Sequence, residues 1–255
     1  MKRRTLLREM VKAVTFGTLA ACGAEPAQPP SLQISTPLQR VIDLSHVVRV
    51  DVPYPPGEPL TQLERDATGR LRMLTLGAHT GTTLQLLGPF DQRGPTLEDL
   101  SPRDLLLPAV CLDLRDLAQD RADYRLSVAT IEAWEQAYGL IPPGAAVLLA
   151  TGWDVRWGDA AAYLNLDSSG RPAVPGLEAD ALALLLGPRQ ARAIGFDTLA
   201  AHLIGTNQAA YNRPWLLIEN LTSLEQLPAT GATLVLGSLK IQAALAGPVR
   251  ALAVV

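Results

Sequence analysis

The sequence predicts an α/β domain: one mixed sheet with flanking helices. Three observations carry this. Ala145–Thr151 is apolar up to its final Thr, and Ala191–Asp197 is nearly so, the pattern of strands covered on both faces. Segments with helical spacing, near Ser127–Tyr138 and Leu177–Gly187, alternate with them. Strand-like runs cluster at both ends of the folded part. The chain has 255 residues, 48% hydrophobic and 18% charged, which is enough for one ample core.

The N-terminus reads as a leader rather than as fold. Lys2, Arg3, Arg4, Arg8 and Lys12 precede a short apolar run, Ala13–Ala21, and then Cys22. That order describes a secretion signal, and the run is too short to span a bilayer. Leu19-Ala20-Ala21-Cys22 resembles the bacterial lipobox, whose Cys is lipidated. Arg3-Arg4-Thr5-Leu6-Leu7-Arg8 resembles the twin-arginine export signature. The expectation is a signal peptide over 1–21, a Pro-rich tether over 22–37 and a domain over 38–255. The chain would then be an exported lipoprotein, anchored to the membrane through Cys22 on the cell-envelope side; an uncleaved basic tail is the other reading. With Cys22 lipidated, Cys111 has no intrachain partner, and its apolar neighbours predict a small core residue.

The elements follow in order. Arg40–Val48 is rich in β-branched residues and predicts a first strand. Four prolines make Val52–Pro59 irregular. Arg70–Gly77 predicts a strand running into Gly77–Phe90. Thr96–Leu107 predicts a loop with a short turn, and Pro108–Leu114 a buried strand. Ser127 caps a helix to Tyr138, with Ile131, Trp134 and Tyr138 on one face and Gly139 ending it. A second helix is expected over Leu177–Gly187 and a third, short one over Thr206–Tyr211. Trp215–Glu219 reads as a strand, and Thr233–Ile241 with Val249–Val255 as a closing pair.

Bulk charge excludes one class of partner. The formal net charge is -3, no basic block lies beyond the first dozen residues, and aromatics are 5%. A nucleic-acid partner has neither an electrostatic footprint nor a stacking platform here.

Seven landmarks stand in order: Asp43-Leu44-Ser45-His46, Pro56-Gly57-Glu58-Pro59, His79-Thr80-Gly81-Thr82, Thr151-Gly152-Trp153-Asp154, Gly195-Phe196-Asp197-Thr198, Ile218-Glu219-Asn220-Leu221 and Gly247-Pro248-Val249-Arg250-Ala251. The series resembles the bacterial cyclase family, of kynurenine formamidase and isatin hydrolase type, over residues 38–255. The resemblance implies a swivelling β/β/α fold and a homo-oligomer. It also implies hydrolysis of a small amide or formamide by zinc or manganese. The family motif is His-x-Gly-Thr-His-x-Asp-x-Pro-x-His, with a further His twelve residues before a Glu. His79, Gly81, Thr82 and Glu219 match it. Thr83 stands where the motif has its second His, and Gln85 where it has its Asp. Leu87 replaces the Pro, Pro89 the last His, and Asn207 the further His.

These changes bear on the chemistry. On an extended strand, positions 79, 83 and 85 share a face, so a His-His-Asp set becomes an imidazole, a hydroxyl and an amide. Zinc in a catalytic site takes three imidazole or anionic ligands, and neutral oxygens hold it weakly. Only His79 and Glu219 are left as metal ligands and catalytic residues, with zinc, manganese or no metal bound. Tyr54, Thr83, Gln85, Asn207 and His202 are the substrate-pocket candidates. Two further arrangements stay open. His46, His79 and His202 could form a site with Asp197 or Glu219. Thr83 could act as a nucleophile with His79 as its base, although a straight strand separates them by roughly 13 Å. Trp153, Trp157 and Tyr163 line a pocket or cover the core. Glu219 is otherwise expected to pair with Asn220 or a nearby donor, and Arg250 to make a structural ion pair.

Two functions follow. One is an amide or formamide hydrolase of arylformamidase type, weakly active or inactive. The other is a non-catalytic lipoprotein that binds a small amide-type molecule or serves as a scaffold.

Overall fold

The computed structural model describes residues 40–54, 57–88, 94–119, 121–200 and 213–255. Twelve strands and four α-helices occur among them. The strands are β1 (Val41–Asp43), β2 (Gln62–Arg65), β3 (Leu71–Thr75), β4 (Thr83–Leu87), β5 (Leu106–Asp113), β6 (Arg125–Leu126), β7 (Ala146–Ala150), β8 (Gly176–Leu177), β9 (Ala193–Phe196), β10 (Trp215–Glu219), β11 (Ala232–Ser238) and β12 (Ala246–Val254). The helices are α1 (Arg115–Ala118), α2 (Val128–Tyr138), α3 (Ala160–Leu164) and α4 (Ala179–Leu186).

The main sheet runs β1-β12-β11-β5-β7-β9-β10-β4, and β4 pairs back onto β12. The mixed sheet expected from sequence is therefore closed like a barrel, with β1 as an extra edge strand. Its centre is parallel: β5 with β7, β7 with β9 and β9 with β10. Antiparallel pairs complete the ring, β4 lying against both β10 and β12.

Closure explains the apolar runs. In β7, Ala146, Leu148 and Ala150 face the inner core with Leu84, Ile218, Leu234 and Ala251. Val147 and Leu149 face the outer core with Phe196, Leu217 and the α2 and α4 residues Ile131, Leu182 and Leu185. Period two thus buries both faces. The inner layer is tight at Gly195, where a Cβ would sit 2.7 Å from Leu148 Cδ2 and 2.8 Å from Leu221 Cδ1.

Several expected elements keep their place with shifted ends. Ser127 caps α2 as predicted, its Oγ accepting from the Thr130 N–H at 3.3 Å, and Gly139 ends the helix at φ +92°. Ile131 is buried, but Tyr138 is exposed and turned from the core. Leu177 belongs to β8 rather than to a helix, because Glu178 is still extended at the N-cap and α4 begins at Ala179. The first strand is only β1, since the chain beyond Asp43 leaves the ladder to make single contacts such as the bridge of Ser45 to Leu221. Arg250 holds Asp43 through a 2.9 Å bond from Nε, the structural ion pair expected. The predicted Arg70–Gly77 strand shortens to β3, whose partner β2 was not foreseen. All five residues of β3 are exposed, because this hairpin joins no other sheet. Thr206–Tyr211 lies outside the described residues.

Candidate functional site

The parallel strands β7, β9 and β10 end together, and β4 begins beside them. β10 brings Glu219 directly opposite Thr83 of β4 in the antiparallel ladder. Opposed residues point to one face, so the Glu219 carboxylate and the Thr83 hydroxyl share a side of the sheet. Gln85, two residues on, lies on that face opposite Leu217.

His79 reaches the site differently from the expectation. It is not on the strand. Residues 78–82 form turns and bends before β4, with Thr80 N–H donating to Gly77 O at 3.3 Å and Gly77 N–H to Thr80 Oγ1 at 3.0 Å. Gly81, at φ +73°, completes the reversal. Position 79 therefore does not share the strand face of 83 and 85, and the roughly 13 Å of a straight strand does not separate it from Thr83. Instead the turn folds His79 over the end of β10. Its Nδ1 lies 3.7 Å from Glu219 Oε2, while Glu219 Oε1 accepts from the Ala200 N–H at 2.7 Å. Glu219 thus pairs with His79 and Ala200, not with Asn220. The carboxylate raises the His79 pKa, with burial opposing and Glu58 adding to the rise. Thr83 is fully buried, and its hydroxyl has no hydrogen-bond partner among the described residues.

A buried polar lattice holds this turn to the strand ends. Asn220, in the left-handed region at φ +56°, donates from Nδ2 to Gly81 O at 2.7 Å. Its Oδ1 accepts from the Tyr163 hydroxyl at 2.8 Å. Thr82 Oγ1 donates to Asn220 O at 2.7 Å and accepts from the His46 N–H at 3.0 Å. Asp197, at the end of β9, accepts from the Thr151 N–H at 2.7 Å, the Thr151 hydroxyl at 2.6 Å and the Gly152 N–H at 2.7 Å. The landmark tetrapeptides are thus the joints of one frame. The role of Asn220 was missed from sequence, although its place after Glu219 in a landmark was the available signal.

The other candidates divide. His46 does not join His79. Its ring stacks on Trp157 at 4.0 Å and 7°, and burial drives its pKa down to about 4 despite Asp154. Asp197 is occupied by Thr151 and Gly152, so neither serves the open three-histidine arrangement. Trp153, Trp157 and Tyr163 form a buried cluster with Val52, Val174 and Leu199, covering the core. The Tyr54 hydroxyl donates to Val50 O at 3.0 Å and accepts from the Thr61 N–H at 3.0 Å, which ties its own loop. Cys111 is a buried free thiol, as expected of a core residue. Cys22, Pro89, His202 and Asn207 lie outside the described residues.

The donors at the family's metal position do not fit a catalytic zinc. One imidazole and one carboxylate are present and face each other, beside a neutral hydroxyl and a neutral amide. No group of three or more His, Cys, Asp or Glu side chains converges among the described residues. What the arrangement offers is polar recognition: an imidazole beside a carboxylate, an unpartnered hydroxyl and a half-buried amide.

Comparison with known proteins bears on the ancestry of this frame. The Cyclase family model matches residues 42–202. Isatin hydrolase from Roseibium aggregatum is 33% identical over 198 residues, covering 71% of this chain and 73% of its own length. Isatin hydrolase A from Ralstonia solanacearum superposes with a TM-score of 0.73 at 30% identity, over 84% of this chain and 91% of that one. Isatin hydrolase A from Labrenzia aggregata, bound to benzyl benzoate, gives 0.74 at 28% identity, over 84% and 93%. Two proteins of similar fold carry the descriptions "potential metal-dependent hydrolase with cyclase activity" and "predicted metal-dependent hydrolase". Sequence likeness and the shared closed sheet lead to one conclusion: the chain belongs to the cyclase family.

Proposed function

We propose that this chain uses the cyclase frame to bind a small amide-type molecule and has given up the metal-assisted hydrolysis of its relatives. The observation that carries the reading is the face shared by Thr83, Gln85 and Glu219. Thr83 and Gln85 stand on one face of β4 with Glu219 across the ladder, and their side chains are those of a hydrogen-bonding site. A carbonyl or N–H of the ligand would satisfy the buried Thr83 hydroxyl. The Gln85 amide can donate and accept in turn.

The test uses the purified domain, with metal content measured by mass spectrometry and turnover of isatin and N-formylkynurenine followed with added zinc or manganese. The expected result is substoichiometric metal and no turnover, with isatin binding seen by calorimetry and weakened by Gln85→Ala. Stoichiometric metal with turnover abolished by His79→Ala would overturn the proposal. It would establish the second reading, a weak hydrolase, which the 33% identity to an isatin hydrolase favours.

The same proposal places the domain outside the cytoplasm on a lipid anchor at Cys22, on the strength of the Leu19-Ala20-Ala21-Cys22 sequence. In membrane fractionation, Cys22→Ser should move the protein from the membrane to the soluble fraction. A soluble wild-type protein would sink the anchor.

A further inference from the structure

A second cleft lies apart from the His79 site and shares no residue with it. β11 pairs with β5 only as far as Ala109. Past that point the open edge of β5 is covered by the 224–229 segment, with Cys111 N–H donating to Ala229 O at 2.9 Å. The mismatch between a strand edge and an irregular cover leaves a cavity of about 240 Å³, lined by Cys111, Asp113, Trp134, Tyr138, Leu224 and Glu225 among others. That is below the roughly 300–1,000 Å³ of sites for drug-sized ligands, so a smaller molecule fits.

Its walls are of two kinds. Trp134 and Tyr138 stand one turn apart on α2, ring centroids 5.2 Å apart and planes tilted by 41°. The Trp134 ring is fixed by its Nε1–H, which donates to Cys111 O at 3.2 Å. Two carboxylates line it as well. Asp113 is held by Arg115 through 2.8 and 2.6 Å bonds, and Glu225 has no carboxylate-bound cation within salt-bridge distance among the described residues. The floor feels this charge: burial first, then Asp113, Asp197 and Glu225, push the Cys111 thiol up to about 12, with Arg115 opposing. The thiol is therefore protonated and unreactive at neutral pH. Aromatic rings beside two carboxylates that share one guanidinium, Arg115, favour a cation with an apolar body.

We propose that this cleft is a binding site for a small organic ammonium ion. The charged group sits against the Trp134 and Tyr138 rings, with Glu225 supplying the counter-charge. The choice of a cation over a neutral molecule rests on the carboxylates, and the choice of a small one on the volume.

Calorimetry with choline and with its neutral carbon analogue 3,3-dimethylbutanol, on the whole domain, tests this. Choline should bind saturably, about fivefold tighter than the analogue, and less tightly as salt rises. Tyr138→Ala and Glu225→Gln change exposed side chains, so thermal melting should show both variants folded. Each should weaken choline binding about threefold to fivefold. Equal affinity for the two probes would reduce the cleft to an apolar groove and overturn the proposal. So would the absence of saturable choline binding, or unchanged affinity in both variants.

Discussion

Replacing Asp197 with alanine is expected to destabilise the domain by on the order of 4 kcal/mol. The carboxyl group is buried and accepts from two backbone N–H groups and the Thr151 hydroxyl. Alanine leaves all three donors without an acceptor, and the two on Thr151 are buried. Such a loss is a large fraction of the roughly 5–15 kcal/mol that stabilises a typical domain. Asparagine should behave differently. Burial pushes Asp197 from its ordinary 3.8 up to about 7, against the pull of its donors. Much of the folded population then carries the neutral acid below pH 7. An asparagine copies that form: its oxygen accepts from the two N–H groups, and its amide donates to Thr151 Oγ1.

The pH dependence follows in sign. An acid with a raised folded pKa binds more protons folded than unfolded between pH 3.8 and about 7. Its contribution to stability is greatest at the acid end of that window and falls as pH rises through it, by up to on the order of 4 kcal/mol. His46 runs the other way: its depressed folded pKa, about 4, costs stability as pH falls below 6.5. Comparing wild type with Asp197→Asn at each pH cancels the His46 contribution. Denaturant melts should show the asparagine variant close to wild type near pH 4–5 and more stable by pH 8. If it is as unstable as Asp197→Ala at every pH, the carboxylate is charged throughout and the desolvation argument is wrong.

The sequence told most about what burial dictates. The runs that became β7 and β9, and the buried stretches of β5 and β10, were legible because a strand covered on both faces is apolar on both. Ser127 and Gly139 were legible because helix ends have few chemical solutions. What escaped was set by contacts distant in sequence. Closure of the sheet depends on β4 pairing with both β10 and β12, which no local pattern encodes. Of the exposed β2–β3 hairpin only β3 is legible, because burial gives β2 no alternating signature. At the site, strand periodicity put Thr83 and Gln85 on one face correctly, because they lie within β4. It failed for His79, because Gly81 reverses the chain between them. The pairing of His79 with Glu219, 140 positions away in the chain, came only with the fold.

Restoring two side chains should restore a metal site. Thr83→His with Gln85→Asp returns the imidazole and carboxylate that the family motif carries at these positions, on a strand whose register already faces Glu219. With His79 this makes three zinc-type ligands, the number a catalytic site requires. Loss of a single outer-shell partner costs about 10–100-fold in metal affinity. Supplying two direct ligands should therefore tighten zinc binding by more than about 100-fold. Competition against a chromogenic chelator measures this, with a melt to show that the larger imidazole is accommodated at the buried Thr83 position. A gain of that size would mean that the backbone is still arranged for a metal and that the side chains alone withdrew it. Wild-type binding as tight as that of the double variant would mean that other residues complete a site around His79 and Glu219, and the binding-protein reading would fall. No gain in a folded double variant would mean that the backbone at Gly77–Thr82 does not hold His79 where a metal bound by positions 83 and 85 could reach it.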